Sequence, residues 1–148
     1  MCSISFLRLV MAKMGSETRR AQRLLLEALR APEKLPHLAP ADWDLLLRVA
    51  RRARVLGRLE SDLARAGLLG DIPPRVAAHL RAARNVIAHR NTLISWEVDR
   101  LLWALKGIDV PLILLKGSAY LLAELPPARG RIFADVDLLV PEDRIAEI

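Results

Sequence analysis

Apolar positions along the chain change their period once, and the change divides the sequence into two regions. From Ser16 to about Lys106 they recur in steps of three and four, the helical period. Ser16 is placed to cap a helix running through Arg30, with Leu24, Leu25 and Leu29 on one face. Pro32, Pro36 and Pro40 make residues 31–40 a connection. A second helix is predicted from Asp42, as its cap, to about Ala66. Leu45, Leu46, Val49, Val55, Leu59 and Leu63 form its stripe, Gly57 loosens it, and Gly67 and Gly70 end it. Asp71, Pro73 and Pro74 open a third helix, with Asp71 as cap and a proline in the first turn. The series Val76, Leu80, Ala83, Ile87, Ile94, Val98, Leu101, Leu105 carries that helix to a stop at Gly107. Unbroken, it is about 45–50 Å long and forms the spine of a helical region, residues 1–107.

After Gly107 the pattern shortens. Val110 to Leu115 is a continuous apolar run, the mark of a buried strand. Lys116-Gly117-Ser118 follows, then a helix-compatible stretch from Ala119 to Leu125. Pro126, Pro127 and Gly130 make a loop, and Ile132 to Val140 reads as a second strand. Pro141 begins another helix, with Glu142 and Asp143 in the first turn, where negative charge is favoured. The fold class is therefore α+β, a helical N-terminal region followed by the start of an α/β region over residues 108–148, for which a mixed sheet is expected. Two strands do not make an independently stable sheet, so this region is expected to be the start of a larger one. No internal repeat or low-complexity tract is present.

Composition adjusts this picture modestly. With 148 residues and 53% hydrophobic positions the chain can bury a core. The net charge of +6 admits polyanionic partners. Aromatic residues are only 4%, however, and do not interleave with the basic ones as a single-strand stacking platform needs. Arg48, Arg51, Arg52, Arg54 and Arg58 read first as a solvated helix face, and only second as a contact for RNA or a membrane surface. The single cysteine, Cys2, forms no internal disulfide, which fits a reducing compartment. The apolar stretch from Ile4 to Met14 is too short to span a bilayer and makes a poor secretory signal, so a cytoplasmic protein is expected. His37, His79 and His89 have no metal-binding spacing. Trp43, Trp96 and Trp103 are expected in the core, the last two on one helix face. Asn85 and Asn91 receive no assignment.

The chemistry is concentrated late in the chain. If Asp135, Val136 and Asp137 lie in a strand, both carboxylates point to one face. Two acids on one side of an apolar strand are costly unless something neutralises them. A divalent cation does so, and Mg²⁺ takes carboxylate oxygens together with substrate phosphates. Gly117-Ser118, between a strand and a helix, can hold a phosphate through backbone N–H groups, and Lys116 and Arg131 add positive charge nearby. Each feature has a plainer reading: surface acids on an edge strand, a simple helix cap, a solvated lysine, and an arginine paired with one of the aspartates.

The combination is more specific than its parts. The stretch LLKGSAYLLAELPPARGRIFADVDLLVP resembles the uncharacterised bacterial nucleotidyltransferase family with the pattern "LLKG…R…DIDLLV", within the polymerase-β-type nucleotidyltransferase superfamily. A helical N-terminal region before that motif also suits the family. The resemblance implies that Asp135 and Asp137 bind one or two Mg²⁺ ions and that Gly117 and Ser118 contact nucleotide phosphates, with Lys116 and Arg131 close by. It implies transfer of a nucleoside monophosphate from a nucleoside triphosphate to an acceptor hydroxyl on a small molecule, a protein or an RNA end. The superfamily usually places a third carboxylate on a later strand. Glu142, Asp143 and Glu147 fall in the following helix instead, so residues 1–148 alone are not expected to be competent. The alternative is a non-catalytic module that binds a partner protein, as antitoxin-like members of this fold do.

Overall fold

The computed structural model describes residues 4–108 and 110–147. Five α-helices and one small sheet lie in the order α1 (Ile4–Arg30), α2 (Pro40–Arg52), α3 (Leu56–Arg65), α4 (Pro74–Ala104), β1 (Ile113–Leu115), α5 (Lys116–Leu122) and β2 (Asp137–Leu139). Short 3₁₀ turns occupy Pro32–His37, Pro126–Ala128 and Glu142–Glu147. The last of these replaces the helix expected after Pro141. Among the described residues no helix is long and apolar enough to cross a membrane.

The helical periodicity translates into one main core. Trp43, Leu46 and Ala50 of α2, Leu59 and Leu63 of α3, and Val76 and Leu80 of α4 are buried together with Ala28 and Leu35. These positions recur at helical spacing, so each helix turns one stripe inward. The predicted first helix starts earlier than Ser16. No proline interrupts residues 4–16, and one glycine costs a helix only about 1 kcal/mol, so the turns continue through Ser16. Asp42 does not cap α2. Ala39 is the N-cap and Pro40 the first helical residue, while Asp42, in the first turn, accepts a hydrogen bond from Arg20 at 2.6 Å.

The second predicted helix is in fact two. It breaks at Ala53–Val55 rather than at Gly57. Arg54 takes φ +58°, and the Arg54 and Val55 N–H groups bond the Arg51 and Ala50 carbonyls at 3.1 and 2.9 Å. That is the Schellman closure, with arginine where glycine is usual. Gly67 closes α3 in the same way, as predicted, with φ +72° and its N–H on the Ala64 carbonyl. Asp71 does not cap α4, whose N-cap is Pro73 without any side-chain bond. The helix runs 31 residues, about 46 Å, and stops just before Gly107.

Both strands are shorter than their apolar runs. Ile113, Leu114 and Leu115 pair antiparallel with Leu139, Leu138 and Asp137, so the described sheet has only this antiparallel pair. Residues 131–136 form an irregular connection instead. Phe133 is drawn out of strand register into a second apolar cluster, packed with Ile94 of α4 and Ala128. Trp43 is buried as expected, but Trp96 and Trp103 are 56% and 78% exposed. Arg100 lies over the Trp96 ring at 4.9 Å.

Helices α3 and α4 share a buried acid. Glu60 is 5% exposed, and among the described residues its ion-pair partner is Arg84, at 3.6 Å. Burial raises its pKa above the ordinary carboxylate value, and Arg84 offsets this in part. A folded-state pKa above the unfolded one means that the native state binds the extra proton. The favourable contribution is full below the unfolded pKa and is lost as pH rises through the folded one. Glu60→Gln is accordingly expected to raise the unfolding temperature at pH 7, with a gain that shrinks as pH falls toward 4. Thermal unfolding of both proteins across that range checks it. A Gln variant less stable at pH 7 would mean that the Arg84 pair outweighs the desolvation.

Candidate functional site

The site is assembled where β1 ends. The ladder places Leu115 opposite Asp137, so the next residue, Lys116, emerges beside that aspartate. Lys116 takes φ +49°, an uncommon conformation for a residue with a side chain, and begins α5. Its Nζ donates to Asp137 Oδ1 at 2.9 Å. The hydrogen bond that Lys116 donates to Asp137 raises the lysine pKa most, followed by the charge of the same aspartate, and the charge of Asp135 adds to it. Both carboxylates thus act on one point, and a cation stands there.

The two aspartates differ in setting. Asp137 lies in β2 and is half-buried, whereas Asp135 precedes the strand and is exposed. Strand alternation, the premise that put both on one face, therefore does not apply to Asp135. Its place is set by the connection that Phe133 anchors. Among the described residues no group of three or more His, Cys, Asp or Glu side chains is gathered closely enough to form a larger metal cluster.

Gly117 and Ser118 belong to the first turn of α5 instead of preceding the helix, because the strand yields to helix at Lys116. A Cβ on Gly117 would meet the Phe133 ring, 2.9 Å from Cε1, so glycine here lets the ring close over the turn. Ser118 is 1% exposed, and its Oγ donates to the Leu115 carbonyl at 3.0 Å. The hydroxyl thus ties helix to strand, and only the backbone N–H groups of this turn remain for an anion. The Arg131 guanidinium lies over the Phe133 ring at 5.5 Å and is paired with neither aspartate.

A cleft of ≈ 460 Å³ opens between α4 and residues 133–138. Arg90, Leu93, Ile94 and Glu97 form one wall, and Asp135 and Val136 belong to the other. Lys116, Gly117, Ser118 and Asp137 do not line it. Sequence reading overlooked Phe133, Arg90 and Glu97. The spacing of residues 90, 93, 94 and 97 is legible as one helix face, but nothing in the sequence says that this face meets Asp135. Asn91, also left unassigned, has its Oδ1 buried without a partner beside Glu60 and Arg84, in a smaller cavity of ≈ 240 Å³.

The sequence profile of a family described as uncharacterised nucleotidyltransferase matches residues 39–148, from the start of α2 through the whole aspartate motif. Comparison with curated proteins and with solved structures gave no match.

Proposed function

The chain belongs to the uncharacterised nucleotidyltransferase family, and from that premise we propose that it carries the metal and phosphate half of a Mg²⁺-dependent nucleotidyl-transfer site. The family supports nucleotidyl transfer in general. The finer reading rests on one observation, that Lys116 Nζ sits 2.9 Å from Asp137 while Asp135 reinforces the same positive charge. Two carboxylates that together favour a cation fit Mg²⁺, a hard ion that takes oxygen ligands. When bound, the ion would neutralise charge on the transferring phosphoryl group.

The remaining work falls to the protein's own residues. Asp135 and Asp137 would hold the ion. Lys116, displaced from Asp137 by the stronger cation, would turn its ammonium toward the phosphates. Backbone N–H groups of Gly117 and Ser118 would steady the β- and γ-phosphates, with Arg131 as a further cation near the reaction. Attack by an acceptor hydroxyl then needs positioning and charge stabilisation more than a covalent intermediate.

The test is incubation of the protein, expressed from its whole gene so that a third carboxylate on a later strand is included where one is encoded, with α-labelled nucleoside triphosphates and a cell extract as a source of acceptors, with Mg²⁺ or with EDTA. The expected result is transfer of the label to an acceptor with release of pyrophosphate, both abolished by EDTA. Labelling that survives EDTA would overturn the metal-dependent reading. No labelling under any condition would leave the partner-binding module as the better account.

A further inference from the structure

We propose that the cleft between α4 and residues 133–138 seats the nucleoside of the triphosphate, and that Arg90 and Glu97 of α4 are the side chains that contact it. This rests on the nucleotidyl-transfer reading above and adds to it a second wall, contributed by the helical region.

Asp135 is the one candidate metal ligand that lines the cleft, whereas Lys116 and Asp137 lie outside it. Phosphates drawn toward Lys116 leave the α-phosphate near the aspartates and the rest of the molecule running past Asp135. The cleft begins there. Its volume of ≈ 460 Å³ falls in the usual range for small-molecule sites, about 300–1,000 Å³. Leu93, Ile94 and Val136 give it the apolar surface a flat base requires. Arg90 and Glu97, seven residues apart, stand on one face of α4 and both line the cleft. Among the described residues neither has an ion-pair partner. A guanidinium stacks on bases and donates hydrogen bonds, and a carboxylate accepts them from base amino or ribose hydroxyl groups. An unpaired cation and anion facing a cleft of mixed polar and apolar lining, beside a candidate metal ligand, match a neutral, hydrogen-bonding, planar ligand better than a charged one.

The test uses binding, not turnover. Isothermal titration of the protein compares each common nucleoside triphosphate with inorganic tripolyphosphate, both with Mg²⁺. It is repeated for Arg90→Ala, Glu97→Gln and Leu93→Trp, substitutions at exposed positions, with circular dichroism to confirm that the helices persist. The expected result is that at least one nucleoside triphosphate binds more tightly than tripolyphosphate. The variants should weaken that nucleotide about tenfold or more and leave tripolyphosphate unchanged. A nucleotide preference unaffected by all three variants would overturn the cleft assignment while leaving nucleotidyl transfer intact, and would give the cleft to the acceptor. Equal affinity for nucleotide and tripolyphosphate would also overturn it. Binding of neither ligand to the unaltered protein would overturn the nucleotidyl-transfer reading, and this inference with it.

Discussion

Gly130→Ala is expected to cost the fold about 3 kcal/mol or more, well beyond the cost of Gly67→Ala. Both glycines adopt a left-handed conformation, φ +65° and +72°. Any side chain there carries a strain of about 1–2 kcal/mol. At Gly67 nothing lies within 4 Å of an added Cβ, so that strain is the whole effect. At Gly130 the Cβ would meet the backbone of α3, 2.5 Å from the Arg58 nitrogen and closer still to the Gly57 carbonyl. A helix backbone cannot give way as a flexible side chain can. Gly57 is tight for the same reason, since its own Cβ would lie 2.7 Å from the Gly130 oxygen and against Ile87. The loop before Asp135 is thus held on the helical region by glycine meeting glycine. Urea unfolding of the two variants beside the unaltered protein measures the difference. Equal losses at both sites would show that this approach is looser than the geometry states.

The Gly57–Gly130 contact also illustrates what sequence could and could not deliver. Helix α4 was legible almost to its ends, because its apolar series is long and regular and is bounded by Pro74 and Gly107. The end of α3 was legible from Gly67. The break between α2 and α3 was not, since the left-handed position is filled by Arg54, which carries no turn signal, while the nearby Gly57 drew attention for the wrong reason. Glycine in a helix reads as weakness, yet here it makes room for another backbone. The strand lengths failed for a related reason. Ile132 and Phe133 continue an apolar run, but Phe133 packs against Ile94 and Gly117 instead of joining the ladder. Periodicity reports that a residue seeks burial, not which neighbour it finds. The aspartate motif stood out in the sequence as a pattern of residue types. Its facing wall on α4 could not, because the contact joins positions some forty residues apart.

Asp137→Asn and Lys116→Met are expected to move metal affinity in opposite directions, a result that separates a metal site from an ordinary ion pair. In the structure Asp137 Oδ1 is engaged by Lys116, with the side chains 29% and 73% exposed. If Asp137 is only the lysine's partner, the pair is exposed enough to contribute little. Either substitution should then cause a similar, small loss of stability, and neither should affect binding of a divalent ion. If Asp135 and Asp137 hold a metal, Lys116 competes with it in the absence of nucleotide. Removing the ammonium then frees a carboxylate oxygen and removes a repelling charge, so Lys116→Met should bind Mn²⁺ more tightly than the unaltered protein. Asp137→Asn removes a charged ligand and should bind it more weakly. Electron paramagnetic resonance of free Mn²⁺ at fixed protein concentration reads both affinities without any substrate. In the transfer assay Asp137→Asn should lower the rate about a thousandfold or more, because the several kcal/mol of charge stabilisation from a bound metal are lost. Lys116→Met should also lower it despite tighter metal binding, because the ammonium no longer reaches the phosphates. A lysine variant that gains metal affinity and keeps its full rate would remove Lys116 from the phosphate role and leave it only as the counter-ion of Asp137.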